Sequence, residues 1–171
     1  MDKPLINHAG GGGQRRCGGA RQRDGEPDQH GAGAGDGHEL RKVGVRFAGV
    51  DIPAGAVIQN AWIQFTANSA TTDATSLTVQ AEAINNAPTF TTATSSISTR
   101  TKTAAAVAWA PASWNNADEG GPEQHTPDLA SVVQEVVDRP GWAEGNAMAF
   151  IITGSGKRMA KSYERDLNGA P

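Results

Sequence analysis

The chain has 171 residues, enough for one domain with a buried core. Its 15 Lys and Arg against 18 Asp and Glu leave a net charge of −3, which offers no electrostatic grip on nucleic acid or an anionic membrane surface. The longest apolar run, Ala147 to Ile152, is too short to span a bilayer, and the single Cys17 excludes an internal disulfide or a cysteine-rich metal site.

The composition breaks near Leu40. All nine aromatic residues lie beyond position 40, whereas three of the four histidines and eleven of the 21 glycines lie at or before it. So few large apolar groups cannot offset the entropy of ordering, so residues 1–42 are expected to be a disordered, Gly-rich, non-native segment and residues 43–171 the folded module. Near Met1 no stretch has the charged and then apolar layout of a signal peptide.

Within the module, Val43, Val45 and Phe47 alternate with Gly44, Arg46 and Ala48, the period of a half-buried strand. Asp51 to Gly55 is a turn, because Pro53 fixes one backbone angle and Gly55 tolerates the unusual one. A second strand places Ala61, Ile63 and Phe65 on one face and Trp62 and Gln64 on the other. After a polar loop from Asn68 to Thr75, a third strand carries Leu77, Val79 and Ala81, and a fourth forms around Val107 and Trp109, closed by Pro111. Met148, Phe150 and Ile152 mark a fifth strand and Arg158 to Tyr163 a sixth.

One helix is expected at about 127–138. Thr126 suits its N-cap, Pro127 its first position and Asp128 its first turn, with Leu129, Val132, Val133 and Val136 on one buried face. The pattern as a whole predicts an all-β fold, a jelly-roll-like antiparallel β-sandwich with this helix across one open end or edge.

The chemistry-bearing residues are sparse. His8, His30, His38 and His125 show no ligand spacing. Gly10 to Gly13 lacks the Lys-Ser/Thr of a phosphate loop, and Gly154-Ser155-Gly156 lacks the nucleophile-elbow pattern. No catalytic residue is assigned. The tryptophans carry more, since sugars are recognised by aromatic faces together with a few polar groups. Trp114, in a polar loop with Asn115 and Asn116, and Trp62, opposite the apolar face of its strand, are the candidate ligand contacts. Asp73, Asp118 and Glu119 are candidates for a structural Ca²⁺.

Six blocks carry a family resemblance. Val43-Gly44-Val45-Arg46-Phe47, Ile52 to Ala56, and Ala61-Trp62-Ile63-Gln64-Phe65 together resemble the opening of DNRLRE-like β-sandwich modules of large secreted bacterial proteins. Val107-Ala108-Trp109, Thr126 through Trp142, and Ile151 to Arg158 are similar to the later blocks, so the resemblance covers roughly Val43 to Pro171. It implies a jelly-roll, carbohydrate-binding or wall-associated accessory module, located outside the cell or at its surface. The expected partner is a polysaccharide or cell-surface polymer; a spacer or adhesion domain without a small ligand is the alternative, and a small stand-alone hydrolase a third.

Two departures from that family bear on the chain ends. An acidic segment and a strand ordinarily precede the Val43 block, and a final apolar strand ordinarily follows the region of Pro171. A choice of GC-rich codons for Glu26 to Gly37, read one nucleotide later, can spell an alternating strand, and the same shift at Arg15 to Gly19 permits an acidic run. Residues from about 10 to 41 are therefore expected to be a frame-shifted reading of that first strand. Self-association through an open sheet edge is expected as a consequence.

Overall fold

The computed structural model describes residues 6–8 and 41–162. Along them run the strands β1 (Ile6–His8), β2 (Arg41–Phe47), β3 (Ile58–Ala61), β4 (Ser76–Ala81) and β5 (Val107–Trp109), the helix α1 (Ala130–Val137) and the strand β6 (Met148–Ser155). A four-stranded antiparallel sheet has the order β2-β6-β4-β5, and β1 pairs antiparallel with β3. The structure is mostly strands with this one α-helix among the described residues, and no described helix is long and apolar enough to cross a membrane.

The alternation of the sequence explains the sheet. Val43 faces Ile152, Val45 faces Phe150 and Phe47 faces Met148 across the β2–β6 ladder. The intervening Ala149 and Ile151 of β6 point to the other side and are buried as well. Strand β6 is therefore covered on both faces.

On the first face lies the main core. The helix contributes Val132, Val133, Val136 and Val137 and its N-cap residue Leu129, all 0–1% exposed; all but Val137 belong to the apolar stripe that the helical spacing predicts. Ala61, Ile63, Phe65 and Ala67 reach the same core from the chain that continues β3, and the Phe65 ring stacks on Trp109 at 5.7 Å between centroids. Side chains of α1 also hold loops by their backbone. Gln134 accepts from the Ile58 N–H and donates to the Ala56 carbonyl, while the Glu135 carboxylate accepts from the N–H groups of Ala104 and Ala105.

On the second face a long loop supplies Ala87, Phe90 and Ile97. The Phe90 ring lies directly over Gly44, where a Cβ would stand 2.4 Å from ring carbon Cζ. Arg100 fastens this loop. Its guanidinium sits 4.1 Å from the Phe90 ring centroid, pairs with the buried Glu82 carboxylate, and donates to the carbonyls of Pro88 and Thr89.

Three expectations need correction. The helix starts at Ala130, not near 127, because Thr126 is used elsewhere: its hydroxyl accepts from the Ile63 N–H in a strand-like pairing. The Asp128 carboxylate serves the first turn instead, accepting from Ala130 N–H and also from Ala61 N–H. No sixth strand forms over 158–162; that stretch makes only an isolated bridge, Ala67 to Ala160, and Tyr163 lies outside the described residues. Within the segment expected to lack structure, Ile6–His8 forms β1, and Arg41 and Lys42 open β2. The span to which the frame-shift reading applies lies, but for Arg41, outside the described residues.

The contact between Gly44 and Phe90 yields a test. Gly44→Ala forces the ring out of its seat and is expected to cost about 1–3 kcal/mol of stability, read by denaturant melts. Phe90→Leu in the same chain should recover part of that loss, so that the two changes are non-additive.

Candidate functional site

Beyond Ala61 the chain stays extended and is hydrogen-bonded along both edges. On one edge Ile63 pairs with Thr126, the Phe65 N–H donates to Gln124 O at 2.9 Å, and Ala67 exchanges bonds with Asp118 and Glu119. On the other edge Lys161 N–H donates to Thr66 O at 2.9 Å and Asn68 N–H donates to Met159 O at 2.7 Å. Because Ala61, Ile63, Phe65 and Ala67 point into the core, the period of two sends Trp62, Gln64 and Thr66 outward. All three are half-buried.

The bridge between Gln64 and His125 sets His125 on the same outer face. Its imidazole lies 6.2 Å from the Trp62 ring, at 43° between the planes. The His125 Nδ1 sits 2.6 Å from the Thr126 carbonyl oxygen. A carbonyl only accepts, so in the neutral ring Nδ1 carries the proton and Nε2 is left as an acceptor. Gln64 is fixed in the same way: its amide N–H₂ donates to the carbonyls of Phe65 and Gly121, both at 3.0 Å, which leaves Oε1 as an acceptor. Neither acceptor has a hydrogen-bond partner among the described residues. The face thus combines one indole with two unengaged acceptors.

An ion pair bounds this face at its far end. Lys161 Nζ lies 2.7 Å from Asp118 Oδ1, with side chains 22% and 74% exposed. Their backbones flank the strand on opposite edges, at Thr66 and Ala67. Ala67 is fully buried beneath, so the pair crosses over the outer side at Thr66. Asp118 holds a left-handed backbone, φ 67°, a conformation that aspartate tolerates better than most residues.

The other expected site residues lie elsewhere. Trp114 is 1% exposed, tilted against Phe65 in the core, with its indole N–H donating to the Glu123 carbonyl; it presents no ring face to a ligand. Trp109 and Trp142 are buried too, and the Trp142 indole N–H donates to Ile52 O. Asn115 and Asn116 are exposed but turned to their own loop, where the Asn115 N–H and the Asn116 amide both donate to the Glu119 carboxylate. Those bonds, the Asn116 side chain first, hold the Glu119 carboxyl below its usual value.

Asp73, Asp118 and Glu119 do not converge, and no group of three His, Cys, Asp or Glu among the described residues is placed to hold a metal ion. The loop carrying Asp73 is instead organised by Arg158, which sequence reasoning missed. Its guanidinium donates to the carbonyls of Asp73, Pro111, Ala112 and Lys157 and to the Thr75 hydroxyl, tying three loops together. Burial lowers its pKa and the nearby Asp73 charge raises it. Gly154-Ser155-Gly156 lies at the end of β6, where a Cβ on Gly154 would meet Ser76 O at 2.1 Å; close strand packing accounts for both glycines.

No protein-family model matches the chain, and neither a curated protein nor a solved structure does.

Two outcomes follow from these loops. Arg158→Ala removes five hydrogen bonds at once and is expected to lower stability by roughly 2 kcal/mol or more in thermal melts. Arg158→Lys should not restore it, because an ammonium cannot reach acceptors spread around a planar fork. For Glu119 the folded-state pKa is depressed, so its contribution to loop order is complete above the unfolded carboxylate value of 4.5 and is lost as pH falls through the folded value. The NMR shifts of the Asn115 amide should therefore titrate with a midpoint below 4.5, and Glu119→Gln should abolish that step.

Proposed function

We propose that this chain is a non-catalytic accessory module that binds carbohydrate or a cell-wall polymer in the context of a secreted protein, through the outer face formed by Trp62, Gln64 and His125. The observation that carries the reading is the pairing of a half-buried indole with two outward acceptors lacking protein partners. An indole suits the apolar C–H face of a sugar ring, and acceptors suit its hydroxyl donors. The face is supported from below by the core, so the ring is positioned by packing and not by a mobile loop.

The fold belonging to this reading is a β-sandwich of jelly-roll type. It is supported by the way the four-stranded sheet and the extended chain from β3 to Ala67 share one core, with Phe65 of one against Trp109 of the other. An extracellular or cell-surface location goes with this class of module. Burial of Trp109, Trp114 and Trp142 favours the second reading, a spacer or adhesion domain without a small ligand, and Trp62 separates the two.

The test is a retention screen of the full chain against insoluble and gel-embedded polysaccharides. Trp62→Ala should weaken binding by roughly tenfold or more with an unchanged melting temperature. Trp114→Ala should instead cost about 3–5 kcal/mol of stability. Retention by no polysaccharide, or retention indifferent to Trp62, supports the spacer.

A further inference from the structure

The row Trp62, Gln64, Thr66 runs along one strand for about 13 Å, long enough to seat a few sugar rings end to end. At the Trp62 end no described ion pair crosses it. At the Thr66 end the Lys161–Asp118 pair does, since the two residues approach from opposite edges and the inner side is filled by Ala67. Backbone bonds hold both anchors in place: Lys161 N–H on Thr66 O, and Asp118 N–H on Ala67 O. Asp118 has a left-handed backbone at this point.

Resting on the carbohydrate reading of this face, we propose that the Lys161–Asp118 pair is a strap that ends the site, so that the face selects short glycans and chain termini against the interior of a polymer. A chain lying along the strand row would meet the strap at Thr66, and an internal segment continuing in both directions could bind only by parting the two side chains. Exposed ion pairs contribute little and are screened by salt, so the selection is modest and depends on ionic strength. The pair then acts as a specificity element and not as a sugar contact.

The experiment compares the full chain with Asp118→Asn, which removes the charge at an exposed side chain and leaves the backbone N–H in place. Affinities are measured by calorimetry for ladders of cello-, xylo-, manno-, chito- and uronate oligosaccharides and for their parent polymers, at low and high salt. For the ladder that binds, the wild type should show affinity that stops rising beyond short oligomers. Asp118→Asn should gain about fivefold for long chains, the factor corresponding to roughly 1 kcal/mol at an exposed pair. High salt should give the wild type the same gain and leave the variant unchanged. If binding is lost in Trp62→Ala but length dependence is the same in wild type and Asp118→Asn, the strap is overturned and the face stands. If no ladder or polymer binds, both fall.

Discussion

Burial of β6 on both faces is the constraint from which the rest of the structure follows. A strand whose residues Met148 to Ile152 are all enclosed needs a cover on each side, and this small chain builds two unlike ones. The first is conventional, a helix stripe and an opposed extended chain around Phe150 and Trp109. The second is a loop, and a loop carries polar backbone that must be satisfied. That is why a cation appears there: Arg100 neutralises Glu82 beneath the loop, satisfies three of its carbonyls, and lies on the Phe90 ring that closes over Gly44. An apolar residue at position 100 would fill space but leave Glu82 an unpaired buried charge, the costlier outcome.

Much of this was legible in the sequence because it is local. Alternation marked β2, β4, β5 and β6, and the Leu129–Val136 spacing marked the helix face, since both depend on which residues share a side of one element. What the sequence hid was non-local. Thr126 is a good cap by type, but its hydroxyl and backbone are claimed by Ile63, more than sixty positions earlier, and the helix begins one turn later. The 158–162 stretch pairs with the chain at Thr66 to Asn68 through a single bridge only, and its Arg158 points its guanidinium at three loops, an arrangement that no local pattern announces.

The site shows the same division. That Trp62 faces outward follows from the period of two, so this residue could be named in advance. Trp114 could not be placed, because a polar neighbourhood in sequence says nothing of Phe65 waiting underneath. Gln64 and His125 lacked any motif; only the bridge between them brings the imidazole beside the indole. Of the carboxylates thought suited to Ca²⁺, Asp118 is taken by Lys161 and Glu119 by its own neighbouring asparagines, which is the usual fate of charged loop side chains within reach of donors.

The strand order has a consequence for how the molecule is made. The two neighbours of β6 are β2 and β4, both synthesised before it, and β2 meets β6 across about a hundred residues of chain. During translation the partners of the central strand therefore emerge and wait, with their apolar faces uncovered, until nearly the whole described sequence has left the ribosome. Closure of such a long loop precedes any gain from the ladder, so assembly is slow for a chain of this size. Solubility of the nascent protein then depends on whatever shields Val45, Phe47 and Val79 in that interval, and expression at low temperature or with a chaperone should matter more for it than for a helical protein of equal stability.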